Sequence, residues 1–147
     1  MDDLFAVVTP GLETIAAKEL QDLGIEEFTV ENGGIAFKGD IKDIYRLNLN
    51  LRTVSRILIR LGHFHASAFS ELEKKSSRLP WEIYLSAGQA ISIRATCHKS
   101  RLYHSDGVIE RVVGGIGKHL GSVPTHQKTE NFEGTNIHQL ISVRLLN

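Results

Sequence analysis

The residues with the clearest chemical potential lie between 94 and 118. Arg94, Thr96 and His98 alternate with Ile93, Ala95 and Cys97. In an extended chain that alternation puts all three on one face. Lys99, Ser100, Arg101 and His104 follow at once, and Ser105 then caps a helical pattern. Arg111 and Lys118 stand seven residues apart on it, about two turns, and so share one polar face. The start of such a helix carries unpaired N–H groups and a partial positive charge. Cations, hydroxyl donors and a helix N-terminus gathered in this way suit phosphate groups. Tyr103 suits stacking on an unpaired base. The competing reading is a solvated polar face, interrupted by Asp106 and Glu110.

Other chemistries lack their residues. Cys97 and His98 are adjacent on an extended segment, so their side chains point to opposite faces and form no dyad. Cys97 is the sole cysteine, which excludes an internal disulfide and zinc-ligand spacing and favours a reducing, cytoplasmic setting. Gly114-Gly115-Ile116-Gly117 sits inside a helical pattern rather than between a strand and a helix, so it is no dinucleotide fingerprint. No carboxylate pair stands out as an acid/base couple. No catalytic residue, metal ligand or cofactor-binding residue is expected in this chain.

The elements that must position the basic residues are legible from periodicity. Leu4 to Val8 is a short apolar strand. Thr9 and Pro10 read as the cap and first position of a helix with Leu12, Ile15, Ala16, Leu20 and Leu23 inward, ended by Gly24. Phe28 and Val30, a Gly33-Gly34 turn, then Ile35 and Phe37 read as a hairpin. Asp40 caps a second helix with Ile41, Ile44, Tyr45 and Leu49 inward, and Ile57, Ile59 and Leu61 mark another strand. The order β-α-β-β-α-β is that of a ferredoxin-like split βαβ unit.

From Ser67 a second segment begins. Phe69, Leu72 and Leu79 suggest a helix stopped by Pro80, followed by an apolar anchor at Trp81, Ile83, Tyr84 and Leu85. Ile91 to His98 is a half-buried strand. Val108, Ile109, Val112, Val113, Ile116 and Leu120 form the inner face of the helix after Ser105, closed by Gly121. Ser122 to Gly134 reads as a loop, and Ile137, Ile141, Val143 and Leu145 as one face of a last strand. That strand runs into the end of the chain, and an α/β domain is expected to continue past it.

Seventeen Lys/Arg balance seventeen Asp/Glu over 147 residues, but unevenly. Up to Ala66 there are seven bases and ten acids; from Ser67 there are ten bases, seven acids and five of the seven histidines. An acidic part followed by a basic part points to a polyanion-binding second half. No apolar run approaches about 18 residues, so no membrane-spanning helix is expected. Asp2 and Asp3 stand where a signal peptide would be basic.

Several stretches resemble one family. They are Thr9-Pro10-Gly11-Leu12-Glu13 with Glu19-Leu20 and Leu23-Gly24; Gly33-Gly34-Ile35-Ala36-Phe37; Ile44-Tyr45-Arg46-Leu47-Asn48-Leu49 with Leu51-Arg52-Thr53; and Leu79-Pro80-Trp81-Glu82. In order and spacing they are similar to the N-terminal region of bacterial THUMP-domain methyltransferases of the rRNA guanine-N2 type. The resemblance implies an α+β chain with a ferredoxin-like domain at 1–66 and an α/β THUMP domain at 67–147, incomplete at its C-terminus. It implies that the two grip structured RNA, 23S rRNA in particular and not DNA, for an S-adenosylmethionine-dependent catalytic domain joined in cis. Lys99 to Ser105 resembles the loop-to-helix entry of THUMP. The family's Asn-Pro-Pro-aromatic signature is absent, since the chain has only Pro10, Pro80 and Pro124.

Two other functions stay open on the residues alone. One is a ferredoxin-like protein-interaction or scaffold module without RNA affinity, which the zero net charge favours. The other is a small enzyme, which would need a reactive cluster around His98 and His104.

Overall fold

The computed structural model describes residues 1–98, 100, 102, 104–126 and 139–146. It divides into two compact units, Met1–Leu61 and Gly62–Asn147.

The first unit runs β1 (Asp2–Val8), α1 (Glu13–Asp22), β2 (Phe28–Glu31), β3 (Gly34–Gly39), α2 (Ile41–Asn50) and β4 (Val54–Ile59). Its sheet has the order β2-β3-β1-β4, with every neighbouring pair antiparallel. Element order and strand order together are those of the ferredoxin-like unit. Leu4, Ala6 and Val8 alternate inward on β1 and meet Ile35 and Phe37 of β3, Ala16 and Leu20 of α1, and Leu47 of α2. Burying a side chain such as Leu4 or Leu47 completely is worth about 1.5–3 kcal/mol.

Two local expectations are corrected first. Helix α1 starts at Glu13 rather than at Pro10, with Leu12 as N-cap and no side-chain cap. Gly11 has φ +99°, a left-handed conformation that no α-helix accommodates, so Thr9 to Leu12 close a separate turn. The hairpin turns on Asn32-Gly33 rather than Gly33-Gly34, because Glu31 pairs with Gly34. Gly34 lies in the strand against Phe5 and Ala6, where a Cβ would have no room.

Helix α2 is capped as expected: the Asp40 carboxylate accepts from the N–H groups of Lys42 and Asp43, and Asp43 accepts from that of Asp40. Its inner face differs. Leu47 is buried, and Ile44 and Leu51 pack beside it, whereas Ile41, Tyr45 and Leu49 are 53%, 66% and 85% exposed. At about 100° per residue, Ile44, Leu47 and Leu51 fall within about 60° of one another, while the four-residue steps from Ile41 drift around the helix.

The second unit contains α3 (Phe69–Ser76), a 3-10 turn (Trp81–Ile83), β5 (Ile91–His98), α4 (Ser105–Leu120) and β6 (Gln139–Leu146). Helix α3 ends at Ser76, short of Leu79, which lies in the turn before Pro80, where a helical conformation is disfavoured. Trp81 is buried, and its indole Nε1 donates to the Ser76 carbonyl at 2.7 Å. β5 and β6 are parallel, with Ile93 opposite Ile141 and Ala95 opposite Val143. Ile137, expected in the last strand, lies outside the described residues. Helix α4 buries Val108, Val112 and Ile116 and ends at Gly121, φ +80°.

Candidate functional site

The expected binding residues fall into three groups. The first is the outer face of β5, where Arg94, Thr96 and His98 are all exposed. Ser92, two residues earlier on that side, is 1% exposed, so the open face begins at Arg94. The parallel register sets Ser142 beside Arg94 and Arg144 beside Thr96. Partners in register share a face, and both β6 residues are exposed. Sequence reasoning passed over Ser142 and Arg144. The alternation that turned Ile141, Val143 and Leu145 inward was its only signal, and the pairing of β6 with β5 was not legible.

The second group is the entry to α4. Lys99, Arg101 and Tyr103 lie outside the described residues. Leu102 is buried and pins the connection, and its N–H donates to Ser100 Oγ at 3.2 Å. The N-cap is His104 rather than Ser105, and no side chain caps the helix. Ser105 is the first helical residue, and Asp106 places a carboxylate in the first turn. Because β5 and β6 are parallel, their carboxyl ends lie together, and β5 leads within seven residues into α4.

The third group is Arg111 and Lys118, which do share one face of α4, but that face meets α3. Arg111 Nη1 lies 2.9 Å from Glu73 Oε2 and Lys118 Nζ 2.6 Å from Glu73 Oε1. Lys118, and then Arg111, hold the Glu73 carboxyl below the usual carboxylate range. The two cations therefore clamp α3 to α4. Gly114 lies between them, with Glu73 over it. Next to Lys118 in sequence, His119 Nδ1 donates to the Ser77 carbonyl at 2.7 Å and Nε2 to Glu82. Glu82 first, then the Ser77 carbonyl, raises the His119 pKa above its ordinary value.

The glycines of α4 are packing positions. A Cβ on Gly115 would collide with Ser76 Oγ and stand 2.9 Å from the Glu73 carbonyl oxygen. This stretch packs tightly against α3 and is not a loop open to a nucleotide, so it does not fit S-adenosylmethionine. Among the described residues, no group of three His, Cys, Asp or Glu is placed to hold a metal ion, and no helix is long and apolar enough to cross a membrane.

The quoted sequence motifs prove to be tethers. The Glu13 carboxylate accepts from the N–H groups of Gly11 (2.7 Å) and Gly33 (3.0 Å), joining the β1–α1 turn to the hairpin. Glu19 accepts from the Thr53 hydroxyl at 2.7 Å and from the N–H groups of Arg52 and Thr53. The N–H groups of Gly24 and Ile25 close the end of α1 on Gln21 and Leu20, and Arg46 donates to the Leu23 carbonyl beside them.

The family model of the RlmL ferredoxin-like domain matches residues 3–58, and that of the THUMP domain matches residues 66–131. The chain is an RlmL-type ferredoxin-like domain followed by a THUMP domain. It is 30% identical over 112 residues to the ribosomal RNA large subunit methyltransferase K/L of Syntrophotalea carbinolica, covering 76% of this chain and 16% of that protein. To the protein of the same name from Methylococcus capsulatus it is 26% identical over 140 residues, 92% of this chain and 19% of that one. Among solved structures, a Listeria monocytogenes protein described as a predicted N6-adenine-specific DNA methylase superposes with a TM-score of 0.83 at 31% identity. The match covers 99% of this chain and 37% of that one. The ferredoxin-like–THUMP chain thus spans only a minor part of the length of the relatives it matches.

Proposed function

We propose that this chain is the RNA-binding, substrate-positioning region of an S-adenosylmethionine-dependent rRNA methyltransferase acting on guanine N2 of 23S rRNA. The ferredoxin-like domain would occupy 1–66 and the THUMP domain 67–147, with the methyltransferase domain joined in cis. The observation that carries the reading is the succession of the two domain matches along one chain. The large-subunit methyltransferase K/L relatives carry it from methyl transfer to rRNA.

The binding surface in this reading is the β5 face with the α4 entry: Arg94, His98, Lys99, Ser100, Arg101, His104 and Ser105. Ligands of open α/β sheets favour the carboxyl ends of parallel strands, and α4 adds its uncapped N-terminus there. Arg111 and Lys118, held on Glu73, fasten α4 to α3. The chain contributes grip and orientation, and methyl transfer belongs to the catalytic domain. In a reducing cytoplasm Cys97 stays a thiol.

A second reading, a protein-interaction module without RNA affinity, has one observation in its favour. Ile41, Tyr45 and Leu49 form an exposed apolar row on α2. Titrating a fluorescein-labelled RNA hairpin, and a DNA hairpin of the same sequence, with the 147-residue chain separates the readings. RNA binding that weakens with salt supports the first; no binding to RNA at low salt supports the second.

A further inference from the structure

We propose that the solvent face of α3, with the extended segment 62–66 beside it, is a second RNA contact, in which Lys74 and Arg78 hold phosphates and Phe64 stacks on an unpaired base. This rests on the RNA-binding reading above and adds a surface to it.

Three contacts lay the segment along α3. A Cβ on Gly62 would stand 2.9 Å from Leu79 Cδ2. The His65 carbonyl accepts from Lys75 Nζ at 2.5 Å. The Glu71 carboxylate accepts from the Ser67 N–H at 2.9 Å and from its hydroxyl at 3.1 Å. The partners step back along the helix as the segment advances, so the two run antiparallel. Phe64 therefore sits between the levels of Lys75 and Leu79, at the level of Arg78. It is 37% exposed, and His63 and His65 on either side of it are exposed too. An aromatic ring is thus held open to solvent on a strand that α3 fixes in place.

Charge complementarity selects the occupant. Both carboxylates of α3 are occupied, Glu71 by Lys75 and Ser67, and Glu73 by Arg111 and Lys118. Glu82, beyond the helix, is taken by His119. Lys74 and Arg78, both exposed, have no carboxylate partner among the described residues. They stand four residues apart, so they continue one row along the helix and the turn after it. At the seam with α4 the side chain of Glu73 is 15% exposed beneath that of Lys118, 66% exposed. Solvent on this side meets cations rather than carboxylates. Cations beside exposed rings are the combination that binds single-stranded nucleic acid: the charges follow the backbone and the ring takes a base. An acidic protein segment would use Lys74 and Arg78 but has no flat partner for Phe64. Cations near a helix C-terminus also complement its dipole, but that role affects stability and leaves RNA affinity alone.

The test is anisotropy of a fluorescein-labelled RNA hairpin with a single-stranded tail, titrated with the 147-residue chain. The parent is compared with Arg94→Gln, the double variant Lys74→Gln/Arg78→Gln, Phe64→Ala and Lys38→Gln. Each folded state is checked by circular dichroism and thermal midpoint. The double variant is expected to weaken binding about five- to twentyfold, the scale of two exposed charge pairs. It makes the log–log salt slope shallower by about 1.4, two phosphate contacts at about 0.7 each. Phe64→Ala weakens binding about fivefold or more, the loss of one stacked base, and leaves the salt slope unchanged. Lys38→Gln leaves affinity within about twofold. Amide shifts at Phe64 and Lys74 of the unaltered protein on adding the hairpin give a readout that needs no variant.

Unchanged affinity and slope in the double variant, with unmoved Phe64 and Lys74 amides, while the parent binds RNA and Arg94→Gln weakens it, overturns this surface and leaves the β5 face and α4 entry standing. Loss in the double variant without loss in Phe64→Ala overturns the single-strand contact. Absence of RNA binding by the parent overturns both proposals. Displacement of the RNA by an acidic peptide at equal strength shows a general polyanion face and overturns the assignment to RNA.

Discussion

Lys118 Nζ on α4 lies 2.6 Å from Glu73 Oε1 on α3. Arg111 holds the other oxygen of that carboxylate. The two cations that spacing placed on a polar, ligand-facing stripe thus join two helices.

Replacing Glu73 by Gln should therefore lower stability by about 1 kcal/mol, the scale of two partly exposed ion pairs. For a unit of this size that is a fall of several degrees in thermal midpoint. Arg111→Ala should lower it comparably, and a double-mutant cycle should show the two changes to be coupled. Strict additivity would contradict the clamp.

Helix packing gives a sharper contrast. Gly115→Ala should destabilise by about 1–3 kcal/mol, because the added methyl meets Ser76 Oγ and the α3 backbone. Gly114→Ala should be nearly neutral: the nearest atoms to its methyl would be those of the Glu73 carboxyl group, at 3.3 Å, the end of a side chain that can give, and the helix gains up to about 1 kcal/mol in propensity. Chemical denaturation of the two variants checks this, and equal midpoints would contradict it.

The acid limb of stability has named carboxylates. Lys75 first, then Ser67, holds the Glu71 pKa down at about 2. Glu13, Glu19, Asp43, Glu73 and Glu82 are also lowered. With folded values below unfolded ones, the unfolded chain binds protons first, so this stability is present above about pH 4.5 and is lost as pH falls toward 2. Glu71→Gln should flatten the thermal midpoint's dependence on pH across that window. An unchanged slope would contradict the assignment.

His119 acts in the opposite sense. Its raised folded value means that its contribution is fully present below the unfolded value of 6.5 and is lost as pH rises through the folded one. The ring resonances of His119 should titrate above 6.5, and His119→Gln should reduce the stability lost as pH rises above 6.5. Titration at or below 6.5 would contradict the Glu82 contact.

Element order was legible because each segment keeps its own period. The hairpin, the Asp40 cap and the β5 alternation follow from residues within a few positions of one another. The inner face of α2 was misread because Ile41, Tyr45 and Leu49 are apolar yet exposed. Only tertiary packing selects Leu47. Arg111 is 38 residues from Glu73, and no local pattern announces such a partner. The same holds for Arg144, whose neighbour Thr96 is fixed by strand pairing. The family's recurring stretches were visible, while their role as tethers, Glu13 to Gly33 and Glu19 to Thr53, needed coordinates.

The most direct test of the central claim is the affinity of the 147-residue chain for a fluorescein-labelled RNA hairpin between low and physiological salt. Contacts from Arg94, Lys99 and Arg101 predict a log–log slope of about −2.1, at about −0.7 per phosphate on single-stranded segments. No binding at low salt, or binding indifferent to salt, would contradict an RNA-gripping role for this ferredoxin-like–THUMP chain.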